Sequence, residues 1–158
     1  MLIKPLLKDS IKDHLFNNRV PNPINVTFTE KQMVGVTRID EYVSDTNFRH
    51  FKNMLNTKVF GNSFIRFGKQ LKMIVVREGG KGLRYHLHTI IEQPERYTLT
   101  NFEILIKYCW NETLFGYDQV YIEKPTTQER EDGWLYYVLK ERSKLDFSNS
   151  IVWEHTTI

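Results

Sequence analysis

LKMIVVRE (residues 71–78), GGKG (residues 79–82) and LRYHLHTIIE (residues 83–92) decide how this chain folds. The outer runs are rich in aliphatic and β-branched residues, and the glycine-rich tetrad between them reads as a tight turn. Together they predict an antiparallel hairpin. Side chains alternate along a strand, so His86 and His88 project from one face and Leu87 from the other. Glu78 closes the first strand, and the hairpin folds it back beside the two histidines.

Outward from the hairpin, INVTFT (residues 24–29) alternates and predicts a first strand, preceded by Pro21 and Pro23. Residues 1–22 read as an N-terminal extension with room for a short helix, and residues 23–158 as the functional domain. Phe48, Phe51, Leu55 and Val59 recur at helical spacing after a cap at Asp45 or Thr46, and that helix ends before Gly61. Thr98 or Thr100 opens a second helix with Phe102, Leu105, Ile106 and Cys109 on its apolar face. DQVYIEK (residues 118–124) reads as another strand. A last helix is expected from Asp132 through Lys144, with Leu135, Val138 and Leu139 as its core stripe. The order β-α-β-β-α-β plus a C-terminal helix predicts an α+β fold, ferredoxin-like or RRM-like: an antiparallel sheet with two helices on one face. The other face is expected to stay free for a site.

Composition sets the bounds. At 158 residues, 41% apolar and 26% charged, the chain has the size and make-up of one globular domain. The net charge of +3, from 22 basic against 19 acidic residues, does not by itself mark a nucleic-acid binder. Position says more: basic residues gather at 66–72, 77–84 and 140–144, whereas Glu129, Glu131 and Asp132 form an acidic group. The single cysteine, Cys109, has no partner for a disulfide or a cysteine-based zinc site and reads as a buried small hydrophobe. Lys4, Lys8 and Asp9 interrupt the N-terminal apolar residues, and no run approaches the roughly 18 apolar residues of a membrane span. A soluble intracellular protein without a membrane partner is expected.

Two imidazoles and a carboxylate at one spot form a mixed nitrogen and oxygen donor set that leaves coordination positions open. Such a set suits Mg²⁺ or Mn²⁺ on a phosphate, and imidazole also suits zinc. His14, His50 and His155 have no comparable company and receive no role. In WLYYVLKE (residues 134–141), Tyr137 and Lys140 are three apart and therefore neighbours on the helix surface. At about 100° per residue from Leu135, Lys140 falls between Tyr136 and Tyr137. Helical geometry alone does not choose between the two tyrosines.

These residues together resemble the HUH endonuclease superfamily, specifically the Rep catalytic domains of rolling-circle plasmids and single-stranded DNA viruses. VTFT (residues 26–29) is similar to the first Rep motif, and HLH (residues 86–88) matches the histidine-hydrophobe-histidine motif. Glu78, eight residues before His86, matches the upstream acidic ligand, and YVLK (residues 137–140) matches the YxxK nucleophile motif.

The resemblance spans roughly residues 24–144. It implies metal ligation by Glu78, His86 and His88, Tyr137 rather than Tyr136 as nucleophile, and Lys140 as its assistant. The implied reaction is metal-dependent nicking and joining of single-stranded DNA, at an origin or an extruded hairpin, through a 5′ phosphotyrosine link. It would start and end rolling-circle replication of a plasmid, phage or virus, with a host polymerase and helicase as partners. The compartment would be a bacterial cytoplasm or the interior of an infected host. Lys69, Lys72, Arg77 and Arg84 are the candidate phosphate contacts.

Two rival readings share the pattern. The same element order describes a noncatalytic RNA-recognition module, and KGLRYHLH opens like its RNP1 signature, although Leu83 replaces the first aromatic. A single-tyrosine transposase of the same superfamily would use the same site on hairpin DNA ends.

Overall fold

The computed structural model describes residues 3–80, 82–139 and 150–158, with side chains from residue 9 onward. It is an α+β structure built on one four-stranded antiparallel sheet. The strands are β1 (Pro23–Glu30), β4 (Met73–Gly80), β5 (Leu83–Glu92) and β6 (Gly116–Glu123), in the spatial order β4-β5-β1-β6. That order is consistent with the expected ferredoxin-like arrangement. Between β1 and the helix α2 (Glu41–Phe60) lies a small hairpin, β2 (Met33–Val34) and β3 (Thr37–Arg38), that the sequence reading did not anticipate. The short helix α3 (Asn62–Phe67) was likewise missed.

Alternation sorts the strand residues between two cores. Ile24, Val26 and Phe28 of β1, Met73 and Val75 of β4, and Leu87 and Ile91 of β5 face α2 and α4 (Leu99–Asn111). There Phe28, Phe48, Phe51 and Trp110 form a buried aromatic cluster with ring centroids 4.6–6.5 Å apart. Rings of this size bury the largest apolar areas in the domain, and truncating one typically costs about 3–5 kcal/mol. Cys109 belongs to this core, where burial pushes its thiol up to about 11.

The second sheet face is not free, contrary to expectation. Helices α1 (Ile3–Asn17) and α5 (Gln128–Val138) cover part of it through Leu15, Val20, Ile74, Val76, Ile90, Leu135, Val138 and Leu139. Residues 3–17 are helical, as the sequence allowed, and Leu15 is fully buried in this core. The helix docks on α5 directly: the rings of Phe16 and Tyr136 lie 5.0 Å apart, and Arg19 pairs with Asp132 and Glu131. The same sheet face stays open on β6, where Tyr121, directly opposite Thr27, is 82% exposed.

Local signals set the helix limits. Asp40, not Asp45 or Thr46, caps α2 by accepting from the Val43 N–H at 2.8 Å, so the helix starts earlier than its apolar stripe suggests. Thr98 caps α4. Thr127 caps α5, which begins at Gln128, four residues ahead of the expected start near Asp132. Its expected continuation to Lys144 lies outside the described residues. On the far edge, the terminal segment seals β4: Val152 N–H donates to Val75 O, and Met73 and Thr157 exchange two bonds, all at 2.8 Å. Lys52 holds that segment through His155 O and Thr157 Oγ1. No helix among the described residues is long and apolar enough to cross a membrane.

Candidate metal centre

The site begins at the β4–β5 turn. Gly79, Gly80 and Gly82 take φ values of 125°, 87° and 87°, and a Cβ on Gly79 would stand 2.6 Å from Tyr85 Cα. Only glycine lets the two backbones approach this closely. A register shift between Glu78 and Gly80 closes the turn, and below it Glu78 lies directly opposite His86, with Val76 opposite His88. Directly opposed residues of an antiparallel pair share a face, so Glu78, His86 and His88 converge.

Glu78 Oε2 lies 2.9 Å from His86 Nε2 and 3.4 Å from His88 Nε2, and the three donor atoms fall within 4.8 Å of one another. The two imidazoles meet edge to face, centroids 4.9 Å apart at 89°. Their outer nitrogens are held by the protein. His86 Nδ1 is 3.0 Å from the Arg84 carbonyl, an acceptor only, so Nδ1 carries the proton and Nε2 points inward. His88 Nδ1 is 3.1 Å from Thr27 Oγ1. This support of each ring through its second nitrogen is the usual setting of a metal-bound histidine.

Charge distribution follows the geometry. Hydrogen bonding from His86, reinforced by His88, holds the Glu78 carboxyl well below the usual carboxylate range. The same bond to Glu78 raises His86 above its ordinary value, against a smaller opposing effect of burial. His88 is 5% exposed, and its Nε2 is sealed from solvent without a hydrogen bond among the described residues. A buried imidazole nitrogen 3.4 Å from a carboxylate and beside a second imidazole fits a divalent cation. Glu78, His86 and His88 could thus hold a metal ion.

The nucleophile candidates separate. The Tyr137 ring lies 5.8 Å from that of His88, stacked at 5.5 Å on Trp134, which itself meets His88 edge-on at 5.9 Å. Tyr136 turns away onto Phe16 of α1. Lys140 lies outside the described residues. Between α5 and the sheet runs an open cleft of about 570 Å³, lined by Asn25, Thr27, His88, Glu123, Trp134 and Tyr137 among others.

The sequence matches no family model and no curated protein. The site is therefore read from its geometry.

The four expected phosphate contacts are not brought together. Arg77 points to the opposite face and is buried, bonding Ser44 Oγ at 3.1 Å and pairing with Asp45. Its strand neighbour Glu78 faces the site, so alternation alone excludes Arg77 from it. Lys72 precedes β4 at the other end of the strand, about 20 Å along the sheet from Glu78. Lys69 lies over the Phe60 ring at 5.2 Å. Arg84 alone is exposed on the histidine-bearing face, 4.7 Å over the Tyr117 ring.

Thr27, Trp134 and Asn25 were missed. Thr27 was legible as the residue two before Thr29 in an alternating strand, but its place opposite His88 depends on the β1–β5 register. Trp134, three before Tyr137, carried a helical-neighbour signal that went unused. His155 is a core residue, against the Phe48 ring and 3.1 Å from Asp45 O, with burial lowering its affinity for a proton.

Proposed function

We propose that this chain is a metal-dependent endonuclease and strand transferase of the HUH, Rep-type class, acting on single-stranded DNA. The β4-β5-β1-β6 order supports reading the fold as the ferredoxin-like scaffold of that class. The observation that carries the reading is the approach of Tyr137 to His88, 5.8 Å between ring centroids, beside the Glu78, His86 and His88 cluster. A lone binding module needs no such convergence of a phenol with three ligand groups.

A free phenol ionises near pH 10 and is a poor nucleophile at neutral pH. Bound Mg²⁺ or Mn²⁺ would neutralise charge at a non-bridging oxygen of the scissile phosphate. Tyr137 Oη attacks phosphorus in line and loses its proton. The bond from phosphorus to the 3′ oxygen breaks, and that oxygen takes up a proton to leave a 3′ hydroxyl. Lys140, three residues beyond Tyr137, is the candidate cation for the leaving oxygen. One phosphodiester replaces another, so rejoining needs no nucleotide triphosphate. Trp134 holds the Tyr137 ring by stacking, and Thr27 orients His88.

The 3′ hydroxyl suits extension by a host polymerase, and the reading places the protein at the origin of a rolling-circle plasmid, phage or virus, inside the host cell. Incubation with single-stranded hairpin and origin-like oligonucleotides plus Mn²⁺, followed by denaturing gels, tests it. A band of protein bound to the 5′ product supports the reading. Its absence across substrates, with binding retained, would favour a noncatalytic module.

A further inference from the structure

The two sides of the metal centre along the sheet differ in charge. Towards Tyr137, the cleft beside α5 is lined by Glu123 and Glu129 against one cation, Arg130, which stands 3.8 Å from Glu123. On the opposite side, beyond His86, a second open cleft of about 460 Å³ is lined by Gly80, Gly82 and Leu83 of the β4–β5 turn, by Arg84, and by Arg38 of the β2–β3 hairpin among others. No acid is among its described lining residues. Arg84 precedes His86 by two residues on β5, so it shares the ligand face about 7 Å further along the strand. Its side chain is exposed, lies 4.7 Å over the Tyr117 ring, and pairs with no carboxylate among the described residues. Contact with the ring steadies the cation while its donors stay available.

We propose that Arg84, seated on Tyr117, and Arg38 hold the sugar-phosphate backbone of the DNA arm 5′ of the nick, the arm that ends in the freed 3′ hydroxyl. This rests on the nuclease reading above. In-line displacement puts the attacking and leaving oxygens on opposite sides of phosphorus. Tyr137 approaches from the His88 side, so with the phosphate on the metal the 3′ oxygen points past His86 towards Arg84. The acidic lining at the Tyr137 end repels a chain of phosphates, and the arginine-lined end attracts one. These contacts grip backbone and read no base.

Such a grip keeps the second product in place. The tyrosine bond holds only the 5′ phosphate of the cut strand, and nothing covalent holds the 3′-hydroxyl arm. With that arm bound at Arg84 and Arg38, its hydroxyl stays beside the phosphotyrosine at high effective concentration, and joining outruns escape of the arm.

The direction is tested on isotope-labelled full-length protein with Mg²⁺ and an oligothymidylate carrying a nitroxide spin label at its 5′ or its 3′ end. The 5′ label is expected to broaden the Arg38 and Arg84 side-chain resonances more than the Trp134 indole N–H, and the 3′ label to give the reverse order. The same order with both labels, or no broadening at either arginine, would overturn the proposal. This measurement needs no cleavage, so it decides the direction even where no adduct forms and the nuclease reading itself fails. Where the adduct forms, native gels with a 5′-end-labelled oligonucleotide read retention of the 3′-hydroxyl arm. Per adduct formed, the Arg38→Ala, Arg84→Ala protein is expected to retain about tenfold less of that arm. Equal retention in this variant, folded, would overturn the proposal as well.

Discussion

Tyr137 lies against His88 at 83° between ring planes, the nearer of two adjacent tyrosines to the metal cluster, while Tyr136 packs on Phe16. One residue along a helix is a rotation of about 100°, so the two phenols cannot exchange places without unwinding α5. Tyr137→Phe is expected to abolish the covalent adduct and leave Mn²⁺ binding and thermal stability nearly unchanged. Tyr136→Phe is expected to react. Mass-spectrometric mapping of the nucleotide-bearing peptide decides, and a nucleotide on Tyr136 would overturn the assignment.

Metal binding is expected to need all three ligands and to depend on their support. Calorimetric titration with Mn²⁺ should lose its signal in Glu78→Ala and His88→Ala. Thr27→Val, which removes only the partner of His88 Nδ1, should weaken affinity about tenfold. A proton and the metal compete for His86 Nε2. The hydrogen bond to Glu78 raises His86 above its ordinary value of 6.5, so affinity is expected to fall as pH drops through a point above 6.5. An affinity constant from pH about 8 to about 5 would count against histidine ligation.

The two arginines of the hairpin are expected to behave oppositely. Arg77→Ala strands the Asp45 carboxylate and empties a buried position, so it should cost about 3–5 kcal/mol in chemical denaturation. Arg84→Ala is exposed and should leave the denaturation midpoint unchanged while weakening single-stranded DNA binding. The slope of affinity against salt should shrink by about one counterion. Loss of DNA affinity in a stably folded Arg77→Ala protein would contradict this division.

Glu30 gives the fold a pH dependence of its own. Its carboxyl is buried beside Ser44 and Arg77, one oxygen bonded to Ser44 Oγ at 2.7 Å and the other without a partner among the described residues. Burial raises it from 4.5 to about 7. Folding therefore favours the protonated form. The resulting stability is fully present below 4.5 and lost as pH rises through about 7, on the order of 3 kcal/mol in all. Glu30→Gln should flatten the denaturation profile across that window, and an unaltered slope would refute the assignment.

The Glu78, His86 and His88 cluster was legible in the sequence because it needs only strand parity and a tight hairpin. What stayed hidden depended on neighbours distant in sequence. Residues 73–76 read MIVV without alternation, and all four are buried. A strand wet on one side alternates, and an unbroken apolar run marks cover on both faces. That run foretold the second core, but the identity of its cover, α1 and α5, was not encoded nearby. The start of α2 was missed because its first turn, EYV, buries nothing, leaving only the Asp40 cap as a marker. Arg77 was misplaced because charge suggested a surface, although its parity with Glu78 already assigned it to the helix side.

The docking of α1 on α5 has a practical corollary. Leu15 and Phe16 share a core with Leu135, Val138 and Trp134, and Arg19 anchors the start of α5 through Asp132. The tyrosine thus rides on a helix whose seat is built partly from the opening residues of the chain. The metal ligands sit on β4 and β5, which also touch Leu15 and Val20 through Ile74, Val76 and Ile90 but are held in register by their own hairpin and by pairing with β1. Removing residues 1–22 is expected to yield a protein that still captures Mn²⁺ but joins DNA slowly and without fidelity of position, uncoupling two halves of one machine that calorimetry and adduct gels would read separately.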